Sequence, residues 1–332
     1  MYKRQAYGLT DQKWALLREP GSFDPRTVVL VLGDSAGNQG VDPVVLGRVL
    51  ARGGEAGAGV ASATGNAPRV LNLCTVADAL AVHDAWMLSR WIEQHGPPAE
   101  VVLVHTYDMW YRRADAAPAA AMLARVPVPL WEWGGLRPRV RLSWERWALL
   151  LSSRWAPMYA QDASLRELLG SPARTWERVT TRAGTIWQSV DKNGFLSASQ
   201  ARPVAVERDT RGHLGFLRAH TREFTAFRLS EDNLAGLQEI ARLGEEHGFR
   251  VWLAAAPMYR GLWESPAMQT YHGQLRARLR RFDRRHPSVG IVLSEPVRFE
   301  MHQMQNADHT VETAAAEYAR VLGEAIRRGR EE

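Results

Sequence analysis

Apolar residues follow two rhythms along this chain of 332 residues. Short unbroken runs occur at 28–32 (VVLVL), 69–73 (RVLNL), 101–105 (VVLVH), 249–255 (FRVWLAA) and 289–293 (VGIVL). Such runs read as strands buried on both faces, since a strand with one wet face would alternate. Between them, apolar positions recur at helical spacing over 43–51, about 77–95, 233–247, about 266–285 and 311–327. Local signals set the ends of these helices. Asp42 stands in a capping position ahead of Pro43, Pro97-Pro98 halts the second helix, and Gly248 ends the third. Strand and helix alternating with short turns predict a parallel sheet covered on both faces.

The rhythm breaks between 109 and 217. This stretch has no comparable strand, several Pro and Gly breaks, and eight of the 13 tryptophans: Trp110, Trp131, Trp133, Trp144, Trp147, Trp155, Trp176 and Trp187. Helical pieces such as 142–152 are expected within it. Because α/β order resumes afterwards, the stretch reads as a Trp-rich, largely helical insertion. The predicted organisation is an N-terminal extension at 1–27, one α/β domain formed by 28–108 and 218–330, and the insertion at 109–217. Tryptophans so placed are expected mainly in core and lid, and an insertion overhanging the strand ends would suit a cleft for a glycan or an acyl group. Residues 53–67 (GGEAGAGVASATGNA) read as a surface loop, and no solenoid repeat is present.

Charge and composition narrow the function classes. Lys plus Arg exceed Asp plus Glu by 42 to 36, but the excess arginines are spread along the chain, so no nucleic-acid surface is expected. The densest basic run, 276–286, interleaves with Leu275, Leu279 and Phe282 at helical spacing and reads as a solvated helix face. Cys74 is the only cysteine and is expected to be buried, which leaves no internal disulfide and no thiolate metal site. The ten histidines include no HExxH, so neither a metal nor another cofactor is predicted. The sequence has no run long enough to span a membrane and no export signal, which as written implies the cytoplasm.

Candidate chemistry begins at the end of the first strand, in GDSAGNQG (33–40). Ligands of open parallel sheets bind beyond the carboxyl ends of the strands, and Ser35 falls at such an end. Gly33 is expected to permit a tight turn, Gly37 and Gly40 to leave room for a ligand, and Asp34 to tie the turn by hydrogen bonds. The plainer alternative makes Ser35 the cap of the following helix. A serine hydroxyl needs a base, and the base needs an orienting partner. His309, in QNADHTVETAAA (305–316) just before the last helix, is the candidate base. Adjacent side chains diverge, so spacing favours Asn306 over Asp308 as its partner, although Asn306 is an amide. Asp108 reads as a binding residue or a loop cap.

Four segments together resemble the SGNH (GDSL-type) hydrolase superfamily: GDSAGNQGVDPVVL, VLNLCTVADA, GFRVWLAAAPMYRG and NADHTVETAAAEYARVL. The likeness is to its divergent branch, which includes the D-alanyl transfer protein and the exopolysaccharide O-acetyltransferase-like partners of membrane-bound O-acyltransferases. It covers roughly 28–108 and 233–326. The resemblance implies a three-layer α/β sheet of the SGNH or flavodoxin kind, with Ser35 as nucleophile and His309 as general base. It also implies oxyanion or substrate contacts around Asp34, Asn72, Ala77 or Cys74, Tyr107 and Asp108. The sequence departs from the family pattern in three places: a Gly is replaced at Cys74 or Ala77, an Asn at Tyr107, and the Asp of the Asp-x-x-His motif at Asn306. The implied activity is a serine esterase or O-acyltransferase acting on an acylated glycan or small acyl ester. The implied alternative is a catalytically degraded member that binds a carbohydrate or a membrane-bound O-acyltransferase. By resemblance the location would be periplasmic or at the cell surface.

Overall fold

The computed structural model describes residues 13, 15–18, 24–52, 67–75, 80–111, 144, 148, 170–173, 190–221 and 229–332. Strands β1 (Val28–Gly33), β2 (Arg69–Asn72), β3 (Glu100–His105) and β4 (Arg250–Ala255) are followed by the two-residue β5 (Met258–Tyr259), then β6 (Val289–Leu293) and β7 (Arg298–Phe299). Five of them form one sheet in the order β2-β1-β3-β4-β6, every pairing parallel, while β5 and β7 pair with each other. Besides the single turn Arg260–Trp263, the helices that pack around these strands among the described residues include α1 (Ser35–Gly40), α2 (Pro43–Ala51), α3 (Ala81–His95), α4 (Pro203–Thr221), α5 (Glu231–His247), α6 (Pro266–Asp283) and α7 (Glu312–Glu331).

The unbroken apolar runs follow from what lies on either side of the sheet. Leu30, Leu32, Val101, Leu103, Val251 and Leu253 join one buried cluster with Leu88 and Trp91 of α3, Leu237 and Ile240 of α5, and Leu275 and Phe282 of α6. The intervening Val29, Val31, Val102, Val104, Trp252 and Ala254 join a second with Leu46 and Leu50 of α2 and Ala314, Tyr318 and Leu322 of α7. A strand whose odd and even residues are both buried has no polar phase, and each such Val or Leu contributes about 1.5–3 kcal/mol. The predicted helix ends at Asp42 and Gly248 are observed: Asp42 accepts hydrogen bonds from the Val44 and Val45 N–H groups, and Gly248 adopts φ 74°. Leu275 and Phe282 of α6 face the core while Arg280, Arg281, Arg284 and Arg285 are exposed, as the basic run suggested.

Two segments sit differently from the sequence reading. Helix α4 runs through residue 217, so the expected border of the insertion falls inside a helix; Val206 joins one core cluster and Leu217 the other. The N-terminal extension contributes Lys13 and Leu17, both fully buried. The Lys13 Nζ donates to Asn38 Oδ1 at 2.8 Å and to the carbonyls of Asn72 and Gly194 at 2.5 Å, and burial pushes its pKa down to about 7. Trp110 is buried and Trp144 exposed, while the other six tryptophans of the stretch, the 53–66 part of the predicted loop and Ala77 lie outside the described residues. Among the described residues no helix is long and apolar enough to cross a membrane.

Gly33 turns the chain where β1 meets β3. Its φ is +145°, and a Cβ there would stand 1.9 Å from the Val104 carbonyl oxygen. Backbone strain and steric overlap each cost about 1–3 kcal/mol, so Gly33→Ala should lose about 3 kcal/mol or more of stability. Thermal unfolding of the variant checks this, and an unchanged midpoint would contradict so close an approach. Gly37 and Gly40 leave no ligand room. A Cβ on Gly37 would meet Cys74 Sγ at 2.7 Å, and one on Gly40 would meet Pro257 at 3.0 Å, so both are packing positions.

Candidate active site

The order of strands reverses between β1 and β3, since the chain leaves β1 for β2 on one side and returns to β3 on the other. Loops diverge at such a point and open a crevice beyond the strand ends. Asp34 and Ser35 leave β1 there, and Thr106, Tyr107 and Asp108 leave β3. Asp34, not Ser35, caps α1: its Oδ1 accepts from the Ala36 N–H at 3.0 Å. Its Oδ2 accepts from the Thr106 N–H and hydroxyl, both at 2.7 Å, which straps the two strand ends together. Ser35 is thereby set at the first position of α1, partly exposed, and its hydroxyl has no hydrogen-bond partner among the described residues. A backbone N–H at that position has no intrahelical acceptor and can donate to a ligand.

The closing segment comes to the same rim. Gln305 N–H donates to the His309 carbonyl at 2.8 Å, Met304 bridges Thr310, and the Thr310 hydroxyl donates to the Gln39 carbonyl of α1 at 3.2 Å. Within this tight loop Asn306 Oδ1 accepts from the backbone N–H groups of Asp308 (3.1 Å) and His309 (2.8 Å). That turn brings two adjacent side chains together, against the expectation from spacing. His309 Nδ1 lies 2.6 Å from Asp308 Oδ1 and 2.8 Å from Asn306 Oδ1. Both oxygens are acceptors, and the backbone bonds of Asn306 fix its amide orientation, so the proton belongs on Nδ1 and Nε2 carries the lone pair. Among the described residues Nε2 has no hydrogen bond. Burial disfavours the imidazolium, but the charge and hydrogen bond of Asp308, helped by Asp34 and Asp209, outweigh it and raise the His309 pKa above its ordinary value.

The residues expected to contact a substrate are mostly committed to the scaffold. Asn72 is fully buried; its Nδ2 donates to the Gly37 and Val41 carbonyls at 3.0 Å and its Oδ1 accepts from the Cys74 N–H at 3.1 Å. The Cys74 N–H is thus already used, and burial pushes its thiol well above the usual range. Tyr107 is buried, and its hydroxyl pairs with His213 Nδ1 of α4 at 2.5 Å. Asp108 is buried and bonded to the Thr106 hydroxyl at 2.7 Å. Burial, followed by the charge of Asp308, raises its carboxyl to about 6. The Thr106 hydroxyl has one proton and faces two carboxyls. Below about pH 6, where Asp108 is protonated, it can donate to Thr106 while Thr106 donates to Asp34, which satisfies the chain.

Sequence reasoning missed the layer beneath. His105 is buried between two carboxylates, with Nε2 2.7 Å from Asp84 Oδ2 of α3 and Nδ1 3.7 Å from Asp34 Oδ2. Burial opposes its charge, yet Asp84 and Asp34 raise its pKa to about 9, and His105 in turn helps hold Asp34 low against its own burial. A folded-state pKa above the unfolded value near 6.5 gives stability that is complete below pH 6.5 and lost as pH rises through 9. Between pH 7 and 9.5 the wild-type protein should therefore lose stability relative to His105→Gln, read as the difference between their denaturant midpoints, because the opposing Lys13 and the similar His213 act in both proteins; a difference that does not change with pH would remove His105 as a source. Also missed were Asp209 and His213, which stand one turn apart on α4 and face Asp308.

No protein-family model matches the chain, and the comparison with curated proteins finds no match either.

Proposed function

We propose that the protein is a serine esterase or O-acyltransferase of the SGNH type, acting on an acylated glycan or small acyl ester through an acyl intermediate on Ser35. The observation that carries this reading is the His309 ring: Nδ1 is held by Asp308 and Asn306, and Nε2 has no hydrogen-bond partner among the described residues, in a segment bonded to the helix that Ser35 begins. In the first step Ser35 Oγ attacks the ester carbonyl and its proton passes to His309 Nε2. The tetrahedral oxyanion is met by the Ser35 N–H at the start of α1. Collapse breaks the ester C–O bond, and the departing alcohol takes the proton from Nε2. Water or a glycan hydroxyl then attacks the acyl-enzyme and gives its proton to the same nitrogen, and the acyl–Oγ bond breaks as Ser35 Oγ takes that proton back. Asp308 stabilises the imidazolium in both steps, in place of the carboxylate the family carries at position 306.

The second reading is a degraded member that binds a carbohydrate or a membrane-bound acyltransferase. It is favoured by the commitment of the Cys74 N–H to Asn72 and of the Tyr107 hydroxyl to His213, which takes two expected oxyanion donors away. A fluorophosphonate probe separates the two. One adduct per chain on intact protein, absent from Ser35→Ala, supports the enzyme. No adduct on well-folded protein, with glycan binding unchanged by Ser35→Ala, supports the binder.

A further inference from the structure

Asp209, His213 and Asp308 each offer one ligand atom, and these atoms lie within 4.8 Å of one another. Helix α4 supplies the first two at positions i and i+4, one above the other on the same face. His213 Nε2 and Asp209 Oδ2 are 3.4 Å apart. That is long for a hydrogen bond, and it matches the edge of a tetrahedron, about 3.4 Å, around an ion with bonds of about 2.0–2.1 Å.

The ligand shell is braced from behind. The Tyr107 hydroxyl sits 2.5 Å from the other ring nitrogen of His213, where it can accept from an Nδ1–H and so direct the Nε2 lone pair toward the carboxylates. The Ala307 N–H donates to Asp209 Oδ2 at 3.2 Å, which ties the α4 carboxylate to the loop that bears Asp308. Asp209 is the outermost member, with its side chain 37% exposed against 17% for His213, so an ion has a path inward.

We propose that Asp209, His213 and Asp308 form a binding site for a divalent transition-metal ion, with Zn²⁺ the best fit. One imidazole and two carboxylates suit zinc, leave a fourth position for water, and balance its charge, whereas Mg²⁺ favours oxygen ligands alone. The site shares Asp308 with His309. An ion there draws the carboxylate away from Nδ1, so if the esterase reading holds, Zn²⁺ is an inhibitor. Binding itself does not depend on that reading.

The test is calorimetric titration of the full-length, tag-free protein with zinc chloride, with Co²⁺ absorption as a report of tetrahedral coordination. One ion per chain is expected, with affinity at least about tenfold weaker in Asp209→Asn and in His213→Gln, and unchanged in Ser35→Ala. Circular dichroism of each variant confirms the fold, and Asp209→Asn, at the outermost ligand, keeps the test decisive if His213→Gln unfolds. No binding by the wild-type protein, or equal affinity in wild type and Asp209→Asn, overturns the proposal. Loss of the fluorophosphonate adduct alone would overturn the esterase and leave the metal site standing.

Discussion

On the proposed esterase reading, Ser35→Ala is expected to reduce ester hydrolysis to background, a fall of about four to six orders of magnitude, while leaving the fold intact. Both halves of this expectation come from the same local geometry. The serine is the first residue of α1, partly exposed, and no described residue bonds its hydroxyl, so its removal breaks no hydrogen bond among the described residues. The structural duty at this turn belongs to Asp34, whose two oxygens accept from Ala36 and Thr106. The melting temperature of Ser35→Ala should therefore stay within about 2 °C of the wild type, as for a surface change within about 0.5 kcal/mol. Initial rates on short-chain aryl esters, read beside the thermal midpoint, check the pair. Activity retained in Ser35→Ala would remove the nucleophile, whatever the fate of the fold.

The fold was legible where local pattern and tertiary environment agree. The apolar runs at 28–32 and 101–105 read as strands covered on both sides, and the two observed clusters divide their odd and even residues accordingly, whereas the edge strand β6 is only partly buried beyond Val289. Asp42 and Gly248 announced helix ends because capping and the left-handed turn are decided within a few residues. The site was legible only in part. Ser35 and His309 could be named from strand-end and helix-start positions, and both prove to lie on segments joined through Thr310 and Gln39. Asp308 was a candidate ranked behind Asn306, because adjacent side chains diverge unless the backbone turns between them, and the turn that brings Asp308 to His309 depends on the Asn306 amide. Gly37 and Gly40 misled for a different reason. Their neighbours, Cys74 and Pro257, come from other parts of the chain, and sequence alone cannot distinguish a glycine that admits a ligand from one that admits a side chain. Asp209 and His213 lay in a stretch read as an insertion, where Gly212 and Gly215 weaken the helical signal of α4.

Asp308→Asn should cost about a hundredfold to a thousandfold in kcat/KM, less than the roughly ten-thousandfold loss that follows when a triad carboxylate is replaced and the wrong tautomer results. The difference lies in Asn306. Its Oδ1, fixed by two backbone N–H groups, continues to accept from Nδ1 at 2.8 Å and keeps the lone pair on Nε2 after the charge at 308 is gone. What the variant loses is the partner of the imidazolium formed in each transition state. The pH profile carries the distinguishing sign. Asp308 raises the His309 pKa, so in the wild-type protein kcat/KM should climb with pH through an ionisation above 6.5 as the base becomes neutral. Without the carboxylate, burial dominates and the climb should move to lower pH, although the plateau is lower. Asn306→Ala offers the contrast: it removes the bonds that bend the loop as well as the tautomer lock, so it should lose stability and activity together. If Asp308→Asn keeps wild-type rates and an unshifted pH limb while Asn306→Ala abolishes turnover, the amide and not the carboxylate is the partner of His309.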